Sequence, residues 1–122
     1  MHQSIQQQAP LFFPGGERFE GTYLNANTPL QGVMNYSNGD QYSGSFKNQL
    51  RHGYGTYNYN LTREVYDGEW QQDLWHGRGT YSVLSGEVKI TGMWERGVLN
   101  GHAEVMHSNG DRFVGTFRGG MK

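Results

Sequence analysis

The chain has 122 residues, enough for one compact domain or one short repeat array. Glycine fills 19 positions, about twice its usual share. Charged residues reach only 17 % against an average near ~25 %, and 8 Tyr, 6 Phe and 3 Trp accompany the glycines, so neither a helical nor a disordered chain fits. Ten basic against eleven acidic side chains leave a net charge of −1, with no long-range field toward nucleic acid or an anionic membrane. The lack of cysteine removes disulfides, thiolate catalysis and cysteine zinc sites and suits a reducing compartment.

From the N-terminus, Met1-His2-Gln3-Ser4-Ile5-Gln6-Gln7-Gln8 has no Lys or Arg leading into an apolar stretch, and Leu11-Phe12-Phe13 is the longest apolar run nearby. No signal peptide or membrane span is expected, and residues 1–10 read as a disordered Gln-rich tail. The segment Leu11–Phe19 aligns without gaps on Val105–Phe113, so the array opens with a half-repeat at 11–16. An apolar-x-Gly-x-aromatic pattern then recurs at Phe19-Gly21-Tyr23, Tyr42-Gly44-Phe46, Tyr66-Gly68-Trp70, Ile90-Gly92-Trp94 and Phe113-Gly115-Phe117, at spacings of 23, 24, 24 and 23 residues. Repeats are placed at 17–39, 40–63, 64–86 and 87–110, with a partial repeat at 111–122.

Each of the first four copies is followed by a second pattern, beginning Gly32-Val33-Met34, Gly53-Tyr54-Gly55, Gly77-Arg78-Gly79 and Gly101-His102-Ala103. The first glycine of this pattern comes 9 residues after Gly44, Gly68 and Gly92 but 11 after Gly21, which reads as a two-residue insertion within Asn25–Pro29. Both halves alternate with period 2, the signature of strands, so each repeat predicts a hairpin. Polar loops such as Lys47–His52 join the strands. Turns join the repeats at Asn38-Gly39-Asp40, Ser85-Gly86-Glu87 and Asn109-Gly110-Asp111, and at Asn60–Glu64, the weakest signal because it lacks glycine.

In repeat 2 one face carries Tyr42, Gly44, Phe46, Gly53, Gly55, Tyr57 and Tyr59, while Gln41, Ser43, Ser45, Lys47, Thr56 and Asn58 take the other, with Tyr54 the exception. A ring needs about the space that a missing Cβ leaves. Aromatics laid over glycines predict a dry layer without a second sheet or a helix. The structural glycines on this reading are Gly44, Gly53, Gly55, Gly68, Gly77, Gly79, Gly92, Gly101 and Gly115. The predicted fold is all-β, with five first and five second strands in one antiparallel sheet roughly 45 Å across at ~4.8 Å per strand.

Tyr66-Asp67-Gly68-Glu69-Trp70, His76-Gly77-Arg78-Gly79-Thr80-Tyr81 and the linker Asn109–Phe113 closely resemble the MORN (membrane occupation and recognition nexus) repeat, and the resemblance covers about residues 11–121. It implies an elongated, twisted, single-layer ribbon of hairpins. Such ribbons serve as scaffolds in cilia and flagella, membrane junctions, cytoskeletal collars and parasite cell division, in some members through an aromatic groove that receives a peptide. Ile90, Ala103 and Met34 depart from the family pattern. The order of repeats 2 to 4 is most similar to the MORN portion of axonemal radial spoke head proteins.

Chemistry finds little purchase. His52 and His76 sit one repeat apart, ~10 Å, too far for a shared zinc ion, and His102 and His107 point to opposite faces. Gly53-Tyr54-Gly55 lacks the Lys and Ser or Thr of a phosphate loop. Asp67 and Glu69 share a solvated face without a pocket to raise a pKa, and Arg118-Gly119-Gly120 is a hairpin loop rather than an RNA-binding tract. Arg18, Lys47, Arg78, Lys89 and Arg112 are spread one per repeat among Glu20, Asp67, Glu69, Glu95 and Glu104, a pattern that disfavours lipid binding.

The sequence therefore points to a non-catalytic scaffold without cofactor or metal, which binds a peptide or a cytoskeletal or axonemal component in the cytoplasm, at the cytoskeleton or in a ciliary axoneme. The candidate contact residues are Tyr57, Tyr59, Trp70, Trp75, Tyr81 and Trp94, against a rival apolar streak of Met93, Met106 and Val114 on the opposite face. The alternatives are a peripheral module binding anionic phospholipid and the regulatory array of an enzyme whose catalytic domain lies beyond Lys122. The strand 113–117 lacks a following strand, so self-association, a partner strand or further repeats are expected to cover it.

Overall fold

The computed structural model describes residues 9–25 and 27–118, and at Leu84 the backbone alone. The expected Gln-rich tail, apart from Ala9 and Pro10, and residues 119–122 lie outside the described residues. The rest is one open sheet of ten antiparallel strands in chain order. They are β1 (Leu11–Phe12), β2 (Arg18–Tyr23), β3 (Pro29–Asn35), β4 (Gln41–Lys47), β5 (Leu50–Asn58), β6 (Val65–Gln71), β7 (Leu74–Val83), β8 (Val88–Glu95), β9 (Val98–His107) and β10 (Arg112–Phe117). A single 3-10 turn at Leu84–Gly86 interrupts the strands.

The hairpin loops are tighter than the polar runs suggested. Asn48-Gln49, Gln72-Asp73 and Arg96-Gly97 each have two successive residues at positive φ, 52° and 68°, 51° and 71°, and 52° and 83°. These are two-residue turns whose twist matches that of the flanking strands, so Leu50, Arg51 and His52 belong to β5. Just beyond each turn the second strand carries two extra residues. Gly44 faces Gly55 while Phe46 faces Arg51, and the same step separates Gly68↔Gly79 from Trp70↔Trp75 and Gly92↔Ala103 from Trp94↔Leu99. Gly53 and Gly77 sit inside these bulges at φ 78° and 64°, a backbone that an L side chain rarely adopts. Because the bulge adds two residues, the alternation of faces survives it.

Repeat 1 carries no insertion. Gly21 faces Gly32 and Phe19 faces Met34, so Gly32 is the counterpart of Gly55 and Gly79, and Met34 that of Tyr57. The step from first to second facing glycine, or to Ala103 in repeat 4, is 11 residues in all four hairpins. Repeat 1 uses these residues differently: a longer turn, closed by the Leu24 N–H donating to the Thr28 carbonyl at 2.9 Å, replaces the short turn plus bulge.

Between repeats, the Asp40 and Asp111 N–H groups donate to the Asn38 and Asn109 side chains at 2.9 Å, closing the two Asn-Gly-Asp turns. The glycine-free turn also closes. Tyr59 N–H donates to the Glu64 carbonyl at 2.9 Å, and Arg63 takes the left-handed position at φ 62°.

Candidate partner-binding face

The core is a film of rings on one face of the sheet. Tyr42 and Tyr66 are fully buried because each lies along its own strand, over its glycine pair. A Cβ on Gly55 would fall inside the Tyr42 phenol, and one on Gly79 inside that of Tyr66. The hydroxyls reach past the glycines to donate to the Ser45 and Glu69 carbonyls, both at 2.9 Å. Burial pushes both phenols well above the ordinary tyrosine range, so they remain neutral donors.

Tryptophan links one repeat to the preceding one. The Trp70 indole N–H donates to the Gly55 carbonyl and that of Trp94 to the Gly79 carbonyl, each at 3.0 Å. Trp70 stands edge-on to Tyr42 and Tyr66, at 5.4 and 5.2 Å between centroids, and Trp94 meets Tyr66 likewise at 5.9 Å.

Opposite Tyr23, Phe46, Trp70 and Trp94 stand Pro29, Arg51, Trp75 and Leu99, one position filled four ways. Trp75 lies flat on Tyr66, centroids 4.3 Å apart and planes 3° from parallel. Arg51 stretches over Tyr57 and Trp70, its Cζ 4.9 and 5.0 Å from the ring centroids, while its Nε donates to Asp73 Oδ1 at 3.0 Å. The same carboxylate oxygen takes the Arg51 backbone N–H at 2.7 Å. The sequence pattern alone places Arg51 in the polar loop Lys47–His52. The signal that would have found it is its alignment with Trp75 and Leu99.

Of the six candidate rings, Tyr57, Trp70 and Trp94 are buried, with 7, 3 and 7 % of their surface exposed, whereas Tyr59, Trp75 and Tyr81 are half-buried. Trp75 lies 6.4 Å from Tyr59 and 4.8 Å from Tyr81, so the three form one connected patch running from the residue that follows β5 to β7. Alongside, a groove of about 350 Å³ is lined by Phe13, Pro14, Met34, Tyr36, Phe46 and Arg51, among others. None of these six is among the rings that the sequence offers as contacts.

Asp40 anchors the rim, accepting from the Tyr57 hydroxyl at 2.8 Å and the Asn60 N–H at 2.7 Å. Desolvation alone would raise this carboxyl, but the hydrogen bonds from Asn60, Tyr57 and Asn38 outweigh it and hold its pKa below the ordinary value. A depressed carboxyl stabilises the fold above the unfolded value of ~3.9, and that contribution is lost as pH falls through the native one. Thermal melts below about pH 4 should therefore fall less steeply for Asp40→Asn than for the native chain.

The opposite face is polar. Thr56 donates to Asp67 at 2.9 Å and the Thr80 and Thr91 hydroxyls meet at 2.9 Å. The expected Met93, Met106 and Val114 streak does not form. All three are exposed, but Met93 stands opposite Arg78, Met106 between Lys89 and Arg112, and Val114 opposite Glu104, so charge separates them. Among the described residues no three His, Cys, Asp or Glu side chains gather closely enough to hold a metal ion, and no helix is long and apolar enough to cross a membrane.

A family model, the MORN repeat, matches residues 42–60, 66–82 and 91–112, three successive hairpins of this sheet. The chain belongs to the MORN-repeat family. No curated protein matches it. MORN repeats are non-enzymatic modules for protein or membrane interaction. Within the matched segments Tyr42 and Tyr66 lie over their glycine pairs, and Trp70 and Trp94 are tied to the Gly55 and Gly79 carbonyls of the preceding repeat. Repeat 1 and β10 after Arg112, outside the matched segments, continue the same sheet.

Proposed function

We propose that the chain is a non-catalytic protein-interaction module that takes an extended peptide along its aromatic face, over Tyr59, Trp75 and Tyr81 and into the groove beside Arg51. The observation that carries this reading is the connected patch of three half-buried rings, left open on a face whose core is already packed. The likeness of repeats 2 to 4 to radial spoke head proteins supports a cytoplasmic partner in a cytoskeletal or ciliary assembly. Basic residues argue against lipid: Arg18 pairs with Glu20 at 3.0 Å, Arg51 with Asp73 at 3.0 Å and Arg112 with Glu104 at 2.7 Å, leaving no free cationic patch of these three.

The test is retention of partners from ciliated-cell extract on the immobilised chain, with fold checked by circular dichroism. Tyr59→Ala and Tyr81→Ala should each lose the partner that the native chain holds, while Met106→Glu keeps it. The reverse pattern would move binding to the polar face. Flotation with anionic vesicles that depends on Arg or Lys would replace the protein reading with the membrane one.

A further inference from the structure

Charge is divided between the two sides of the sheet. Arg18, Lys47, Arg78, Lys89 and Arg112 each stand next to a residue of the aromatic face, Phe19, Phe46, Gly79, Ile90 and Phe113, so strand alternation turns them to the polar one. Among the described strands Arg51 is the one Lys or Arg on the aromatic face. Carboxylates gather there instead. Asp40 accepts from the Tyr57 hydroxyl at 2.8 Å, and Glu17 and Asp73 line the groove beside Arg51. Glu64 stands against the Tyr81 hydroxyl, which burial and this carboxylate together hold above the ordinary tyrosine range.

Repeat 2 shows what such a surface holds. The Arg51 guanidinium lies on Tyr57, Trp70 and Tyr36, its Cζ 4.9, 5.0 and 5.8 Å from the ring centroids, with Asp73 as counter-ion at 3.0 Å. One repeat further on, Tyr81, Trp94 and Tyr59 take the places of those three rings, while Trp75 stands for Arg51 and Gly97 for Asp73. The rings are kept and both charges of the internal pair are gone. Trp75 lies with one face flat on Tyr66 and the other turned away from it, between Tyr59 and Tyr81. Among the described residues no cation of the chain lies over these three half-buried rings, and Arg63, next to Glu64, is exposed in the turn.

Building on the aromatic face as the docking surface, we propose that the peptide it takes is basic and that an arginine of the peptide seats its guanidinium on the outer face of Trp75, between Tyr59 and Tyr81, with Glu64 as counter-charge. The seat repeats for a partner what Arg51 and Asp73 do within repeat 2. A planar guanidinium stacks on an indole as a compact ammonium does not, so arginine is favoured over lysine. Where the peptide enters the groove, Glu17 and Asp73 favour further positive charge beside the apolar walls of Phe13, Met34 and Phe46.

The experiment measures, by fluorescence anisotropy on the whole chain, the binding of synthetic peptides that alternate valine with arginine, lysine, citrulline or glutamate. The arginine peptide should bind tightest, and citrulline, which keeps the shape without the charge, about tenfold more weakly. Added salt should narrow that ratio, and so should Glu64→Gln. A chain carrying Trp75→Arg with Gly97→Asp rebuilds the internal pair in repeat 3, at a turn position where φ is 83° and Asp73 already accepts 71°. It should keep the native circular dichroism and lose the arginine peptide. No binding of the arginine peptide, equal affinity for arginine and citrulline, an undiminished preference in Glu64→Gln, or binding of phosphatidylcholine vesicles in place of every peptide would each overturn the basic ligand. Tyr59→Ala separates that failure from failure of the docking surface: if it loses partners from extract while the native chain does not discriminate the peptides, the surface stands and only the arginine is removed.

Discussion

Trp70→Ala should lower the unfolding free energy by about 3–5 kcal/mol, measured by urea denaturation. Trp70 is 3 % exposed and touches Tyr42, Tyr57 and Tyr66, so its loss opens a cavity spanning repeats 2 and 3. It also removes the indole donor on the Gly55 carbonyl and uncovers one side of the Arg51 guanidinium. Trp70→Phe separates these terms: the ring is largely kept and the hydrogen bond is lost, so its cost should be nearer ~1 kcal/mol. Equal midpoints for the two variants would mean that Trp70 contributes no packing across the repeat boundary.

Gly55→Val should cost on the order of 3 kcal/mol by the opposite route, too much volume rather than too little. A branched side chain there occupies the place of the Tyr42 ring, which must leave a fully buried site and give up its hydrogen bond to Ser45. Ser43→Ala, on the exposed polar face of the same hairpin, should stay within about 0.5 kcal/mol. Matching denaturation midpoints for these two variants would contradict the assignment of faces.

The glycine–aromatic alternation was legible because it states both halves of one contact: a ring and the missing Cβ beneath it, as at Tyr42 and Gly55. Position along a strand was less so. Sequence pattern aligns Gly32 with Gly53, but cross-strand pairing makes it the partner of Gly21, and pairing is a property of two strands that no single strand displays. The two glycine ranks also differ in purpose, Gly53 and Gly77 serving the bulge and Gly55 and Gly79 making room for a ring. Arg51 is hidden in the sequence for a related reason. Charge normally marks a loop, and only a two-residue turn followed by a two-residue bulge returns it to the aromatic face, where Asp73 neutralises it. At the candidate site, residue type suggested six rings. Burial divides them into three that build the core and three that stand open to a partner.

Because the ten strands follow one another in chain order, the first and last strands lie at opposite edges of the sheet and each strand is bonded only to its neighbours in sequence. Tension applied between those edges loads the ladders one at a time, in the manner of a zipper, rather than shearing several at once. Each 23- or 24-residue hairpin that opens would release about 80 Å of chain. The hairpins still closed keep their own hydrogen bonds, so the sheet lengthens in steps and re-forms from what remains. A sheet connected in this order would behave under load as an extensible tether.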